Sequence, residues 1–183
     1  MKSLVTGGAG FIGSNLVEKL VELGHKVTIL DNLSTGRLSN LDNVKDKIEF
    51  QNVDVSKKDN SLDKYFEKVD WVFHLAGLAD IVPSIENPKK YFNSNVVGTL
   101  NVLESSKKAK VKKFIYAASA SCYGIPEKYP TNENSKINPQ YPYAITKNIG
   151  EQLVLHWGKI YNMPNVSLRF FNAYGPKSRT SGA

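Results

Sequence analysis

The chain has 183 residues, 41% of them hydrophobic and 22% charged, which is enough for one well-buried core, so a single domain over 1–183 is expected. No apolar run approaches the roughly 20 residues of a membrane span, and Met1 to Gly7 lacks the apolar stretch and cleavage site of a secretion signal. A cytoplasmic protein without membrane contact is the expectation. The formal charge of +7 raises the question of a polyanionic partner. The surplus is scattered lysine, however, and its densest run, Lys107 to Lys113, falls where a helix should end, so no nucleic-acid partner is expected.

The hydrophobic pattern switches between short apolar runs and longer helical periods, which signals α/β. Ser3 to Thr6 reads as a strand running into Gly7-Gly8-Ala9-Gly10. Ile12, Leu16, Val17, Leu20, Val21 and Leu23 then recur at helical spacing, and Gly24 supplies a left-handed helix end. Further strands are expected at Lys26 to Leu30, Ile48 to Val53, Trp71 to Leu75, Lys113 to Ala118 and Val166 to Phe170. One helix through Tyr91, Val96, Val97, Leu100, Val102 and Leu103 is apolar on more than one side, which suits packing on two faces. Another should run from about Tyr141 to Tyr161, with Pro142 in its first turn. Strands joined by crossover helices are parallel, so the fold class is a Rossmann-type doubly wound parallel sheet in three αβα layers. The lone Cys122 cannot pair internally and reads as a structural residue; no metal site is expected.

Gly7 to Gly13, with Gly10, Phe11 and Ile12 between, lies where a strand gives way to a helix. Free amides and the helix dipole there suit a dinucleotide pyrophosphate. Gly7 permits the tight turn, Gly10 lets phosphate approach the backbone, and Gly13 allows close helix packing. Asp31 closes the following strand at the expected offset, where a carboxylate accepts hydrogen bonds from the adenosine ribose and repels a 2′-phosphate. NAD is therefore the expected cofactor, not NADP.

Tyr143 and Lys147 are four residues apart, hence on one face of a helix. A phenol titrates near 10, about three units too high for a base at neutral pH, and a neighbouring ammonium together with an oxidised nicotinamide favours the phenolate. Ser119, at the end of the fifth strand, is placed to hold the reacting oxygen, with Ser121 as its competitor.

These residues resemble the extended short-chain dehydrogenase/reductase family, and within it the NAD-dependent epimerase/dehydratase group typified by the UDP-glucose 4-epimerases. The match also takes in Asp31-Asn32, Asp54-Val55, His74 to Gly77, Asn95 to Thr99, Ser119 to Gly124 and Leu168 to Pro176. The resemblance implies that Asn32 and Asn95 belong to the cofactor site and that Asp54 and Val55 meet the adenine. It implies that Leu75, Ala76 and Gly77 line the cofactor trough, and that Ser119, Tyr143 and Lys147 form the catalytic set. Asn172 would reach the diphosphate of a nucleotide sugar, a UDP-hexose at family level. The helices bearing Asn95 and Tyr143 are similar to those that build a four-helix homodimer interface.

The family's shared step is oxidation of a sugar hydroxyl to a keto-sugar, which epimerases then reduce on the other face. Dehydratases carry an Asp-Glu pair after the active-site hydroxyl and decarboxylases a glutamate near it. Ala120 and Ser121 stand there instead, which favours an epimerase. Two departures matter. Ala79-Asp80 replaces a lysine common in 4-epimerases, so weaker NAD retention is expected. The chain also ends at Thr180-Ser181-Gly182-Ala183, whereas relatives continue into a substrate domain, so a truncated NAD-binding chain with weak or absent turnover is the alternative.

Overall fold

A computed structural model describes residues 1–57 and 62–178. The strands are β1 (Lys2–Thr6), β2 (Lys26–Asp31), β3 (Ile48–Asn52), β4 (Trp71–His74), β5 (Lys113–Ser119) and β6 (Asn165–Phe170). The helices are α1 (Phe11–Glu22), α2 (Asp63–Phe66), α3 (Ile81–Glu86), α4 (Pro88–Phe92), α5 (Gly98–Ala109) and α6 (Pro142–Tyr161). The strands form one parallel sheet in the order β3-β2-β1-β4-β5-β6. That order reverses between β1 and β4, where an open α/β sheet leaves a crevice beyond its carboxyl ends.

Alternation along the strands builds the layers. Leu4 and Leu30 face one cluster with Val72, Phe114, Val102 and Val154, which draws α5 and α6 onto that side. Val5 and Ile29 face the other, against Val17 and Leu20 of α1. Every expected strand forms within a residue or so of its expected bounds, and α1 and α6 match their sequence signals. Gly24 follows α1 at φ +78°, with open space around it.

The expected single helix between β4 and β5 does not form as one piece. It is interrupted by a π-helical turn, Asn93–Val97, between α4 and α5. Side chains explain the break: the Thr99 hydroxyl donates to the Asn95 carbonyl at 2.6 Å, and the Asn95 amide group is drawn out to Leu78 and Thr146. Inserted turns of this kind are frequent at functional sites. The short α2 and α3 have no periodic signal long enough to reveal them.

Lys107 and Lys108 occupy the last turn of α5, which ends in a left-handed Lys110. Lys107, Lys108 and Lys112 pair with Glu104, Asp63 and Asp70 at 2.7–2.9 Å, so the basic run serves local carboxylates. Cys122 is buried, and burial pushes its thiol up although Arg169 pulls the other way. After β6 the chain folds back over α1: Asn15 donates to the Pro176 carbonyl at 3.1 Å and Lys177 pairs with Glu18 at 2.8 Å. The terminal residues Thr180 to Ala183, on which the expectation of early ending rests, lie outside the described residues. Among the described residues no helix is long and apolar enough to cross a membrane, and no group of side chains could hold a metal ion.

Candidate active site

The glycine turn sits at the carboxyl end of β1. Gly7 adopts φ +71°, and a Cβ on it would come within 2.7 Å of the Ala76 nitrogen in the loop after β4. A Cβ on Gly13 would lie 2.2 Å from the Gly7 carbonyl, so only glycine lets α1 start this close to the turn. Gly10 differs, since its Cβ would meet nothing nearer than the Gly7 carbonyl at 3.2 Å. No side chain caps α1 and its first turn holds no acid. The amides of Phe11, Ile12 and Gly13 therefore lack both intrahelical acceptors and a cap, which is the donor set a pyrophosphate requires.

Asp31 ends β2 beside this turn, 7% exposed. One carboxylate oxygen accepts the Ala9 amide at 2.9 Å, the other the Leu33 amide at 2.8 Å. The acid thus braces the turn while keeping lone pairs for a ribose. Asn32 leads into a cleft of about 420 Å³ lined by Asp54, Ser56, Leu78 and Lys90 among others. Burial works to raise the Asp54 carboxyl, but hydrogen bonds from Ser56 and Asn32 and the charge of Lys57 overcome it and hold the group low. Val55, next to it, is buried against the core.

Leu75, Ala76 and Gly77 run from the end of β4 across the crevice, pinned by the Leu75 amide on the Thr6 carbonyl at 3.1 Å and the Ala76 amide on the Thr6 hydroxyl at 3.2 Å. A Cβ on Gly77 would lie 3.0 Å from Asn95 Oδ1 and 3.8 Å from Lys147 Nζ, so the trough and the helix α6 meet here. Asn95 is wholly buried, its amide engaged by the Leu78 backbone and the Thr146 hydroxyl. Its part in the trough is to fix the loop to α6.

Ser119 is the last residue of β5, and Tyr143 and Lys147 lie one turn apart on α6, which packs against β5. The Ser119 oxygen accepts the Ser121 amide at 3.2 Å and the Ser121 hydroxyl at 2.8 Å. Sequence reasoning set Ser121 against Ser119; the structure makes it a support, occupying Ser119's acceptor capacity and freeing its proton to point outward. Burial pushes the Tyr143 phenol up, and a hydrogen bond from Ser119 opposes it. Burial also lowers Lys147 to about 8, with the Glu151 carboxylate working against that shift. The expected pull toward the phenolate comes from the Lys147 ammonium together with an oxidised nicotinamide; in the protein alone the Ser119 hydrogen bond opposes burial and burial outweighs it. Tyr143 is flanked edge-on by Tyr91, whose hydroxyl donates to the Ala79 carbonyl. Asn172 is exposed on the segment following β6.

One further group escaped sequence reasoning. Arg169 of β6 holds Glu151 through Nε at 3.0 Å, donates to the Tyr123 hydroxyl at 2.8 Å and reaches the Glu133 carbonyl at 3.1 Å. It ties α6 to the turn after Ser119. Only its place within a longer quoted block marked it in the sequence.

A model of the NAD dependent epimerase/dehydratase family matches residues 3–183. The chain belongs to this family. It is 41% identical over 180 residues to a putative UDP-glucose 4-epimerase of Methanocaldococcus jannaschii, covering 98% of this chain and 58% of that protein. The UDP-glucose 4-epimerase of Thermotoga maritima, solved with UDP-glucose, superposes with a TM-score of 0.93 at 35% identity, over 100% of this chain and 59% of that one. That of Thermus thermophilus, solved with NAD, gives 0.91 at 37% identity, over 100% and 58%. The chain thus spans under two thirds of these relatives' length. NAD is the cofactor of the family, and the uncapped amides at α1, the Asp31 carboxylate and the glycine-lined trough are the donor and acceptor set that NAD needs.

Proposed function

We propose that this chain is the NAD-binding part of a nucleotide-sugar epimerase that interconverts a UDP-hexose pair of the UDP-glucose/UDP-galactose type. The observation that carries the reading is the meeting of Ser119, Tyr143 and Lys147 at the sheet's carboxyl edge, beside the trough lined by Leu75, Ala76 and Gly77. When bound, NAD supplies reversible hydride acceptance at that edge. Tyr143 removes the proton of the sugar hydroxyl, and Ser119 donates to the same oxygen, fixing it in line. Lys147 places positive charge near the phenol and the cofactor ribose. Gly7, Gly10, Phe11, Ile12 and Gly13 hold the pyrophosphate, Asp31 and Asn32 the adenosine ribose, and Asp54 and Val55 the adenine, while Asn172 reaches the substrate diphosphate. The absence of a second acid/base pair beside Ser119, where Ala120 and Ser121 stand, supports epimerisation over water elimination.

The reading includes a cytoplasmic homodimer joined through a four-helix bundle of the α4–α5 segment and α6 from each copy. Phe92, Ile145 and Leu155 are exposed on those helices and supply apolar surface for it. A second reading, NAD binding without turnover, is favoured by the share of its relatives' length that the chain spans. Incubating the purified protein with UDP-galactose and NAD separates the two. Appearance of UDP-glucose supports the epimerase, whereas retained NAD with no conversion supports the second reading, and absence of any NAD binding sinks both.

A further inference from the structure

Lys147 is 7% exposed, and among the described residues no carboxylate stands within ion-pair distance of its ammonium. The nearest acid on its own helix, Glu151, is held by Arg169 at 3.0 Å. A buried ammonium without a counter-ion ordinarily loses its proton. What does face it is an aromatic ring: Lys147 Nζ lies 4.5 Å from the centroid of Tyr116, within the range of a cation–π contact.

The position of that ring is built from several directions. Tyr116 is fully buried on β5 and stacks with His74 of β4, ring centroids 5.6 Å apart at 28°. His74 is itself immobilised. The Thr99 hydroxyl is spent on the Asn95 carbonyl, so it accepts from His74 Nε2 at 2.9 Å, and the Thr6 hydroxyl then donates to Nδ1 at 2.6 Å. With burial holding the imidazole near 3, His74 brings no second positive charge under the ring. On the other side Gly150, three residues beyond Lys147, makes room: a Cβ there would lie 2.3 Å from the Tyr116 hydroxyl oxygen. That hydroxyl has no hydrogen-bond partner of good geometry, and Thr99 beside it has already given its proton to the Asn95 carbonyl and can only accept.

We propose that Tyr116 is a positioning residue, whose ring face, and not its hydroxyl, seats the Lys147 ammonium beneath the helical turn that carries Tyr143. This rests on the proposed role of Lys147 in the reaction. The groups facing the ammonium are Tyr143 and Glu151 from α6, with Arg169 of β6 behind Glu151, His74 from β4, and Tyr116 itself from β5. Asn95 and Gly77 contribute no charge. Among the described residues, removing the ring leaves Glu151, already shared with Arg169, as the sole group favouring the ammonium.

Carbon NMR of the protein labelled at lysine Cε follows the Lys147 titration directly, with Lys147→Met assigning the signal. Tyr116→Phe should titrate with the wild type, near 8. Tyr116→Leu should titrate about one unit lower. Tyr116→Met, closer in volume, gives the same comparison should the leucine variant not fold. A wild-type midpoint in the folded aliphatic variant overturns the proposal, as does a phenylalanine variant shifted as far as the aliphatic one. These titrations need neither sugar nor turnover, so failure of the epimerase reading would show in the UDP-galactose assay and leave them unmoved. In NAD-loaded protein, the phenolate absorbance lost in Tyr143→Phe should appear at higher pH in the aliphatic variant and at the wild-type pH in Tyr116→Phe.

Discussion

On the β1–β2 side of the crevice the groups aimed outward are backbone amides, and side chains matter mainly by their absence. On the β5–α6 side they are side chains, Ser119, Tyr143 and Lys147, each buried or half-buried and each in contact with a further side chain. The difference decides how each side can be damaged. An amide cradle fails when an atom is added, whereas a side-chain cluster fails when a partner is taken away. Adding a methyl to Gly13 is the most severe test of the first kind. Its Cβ would stand 2.2 Å from the Gly7 carbonyl and 2.8 Å from Gly8 Cα, both backbone atoms that cannot swing aside. Gly13→Ala should cost about 4 kcal/mol or more and abolish NAD binding, read by urea unfolding and by calorimetry with the dinucleotide. Near-native stability with intact NAD affinity would mean that the turn is not rigid.

The matching test on the other side removes Arg169. Its guanidinium and the Glu151 carboxylate are 18% and 5% exposed as side chains, so taking away the cation strands a buried anion. Arg169→Met should destabilise by about 3 kcal/mol, while adding Glu151→Leu should recover most of that loss, because a nonpolar pair fills the space without a charge to desolvate. Equal losses in single and double variants would show that Arg169 acts through Tyr123 and Glu133 instead. NAD binding should survive both changes, which separates this cluster from the glycine turn.

His74 joins the two sides, bonded to Thr6 at the glycine-turn strand and stacked on Tyr116 at the other. Burial, aided by the Lys147 charge, lowers it from 6.5 to about 3. Between those values the unfolded chain binds a proton that the folded protein refuses, so stability falls as pH drops, by about 1.4 kcal/mol per unit. The cleanest window runs from 6.5 down to about 5, above the ordinary carboxyl values of 3.8 and 4.5 at which the unfolded chain begins to protonate Asp54, Asp63 and Glu18 while the folded protein does not. Across it the wild type should lose roughly 1.5 kcal/mol, because the unfolded imidazole is only half protonated at 6.5 and the full slope is reached about a unit lower. His74→Gln should start lower and fall less steeply. A parallel slope in the variant would assign the acid sensitivity elsewhere.

The same contrast governs what could be read in the sequence. Gly7, Gly10, Gly13 and Asp31 were legible because a backbone site leaves a local record: glycines spaced around a turn, two of them, Gly7 and Gly13, where no Cβ fits, and an acid one strand later. The alternating strands and the long amphipathic α1 and α6 were legible for the same reason, as each is specified over consecutive residues. The support of the proposed catalytic trio was not. Tyr116, Glu151 and Arg169 lie on three different elements, and nothing in the local pattern of any of them reports the other two. The π-helical turn at Asn93–Val97 escaped too, since Asn95 breaks the helix through partners at Leu78 and Thr146 that are distant in the chain. Ser121 sat in view, but whether it competes with Ser119 or serves it depends on a hydroxyl direction that only the fold supplies.

The smallest effect sharpens the comparison most, because it separates a glycine's shape from its surroundings. Gly24 shares a positive φ with Gly7, +78° against +71°, yet nothing lies within 4 Å of where its Cβ would be, while Gly7 would strike the Ala76 backbone. An alanine at Gly24 therefore meets only the intrinsic cost of the left-handed conformation, about 1 kcal/mol. Gly24→Ala should lower the unfolding midpoint by a few degrees and leave NAD affinity untouched, whereas Gly7→Ala should suffer that cost and lose the cofactor as well. If the two variants were to lose equal stability and bind NAD alike, the close approach of the β1 turn to the β4 loop would carry no weight, and the amide cradle would owe its form to backbone conformation alone.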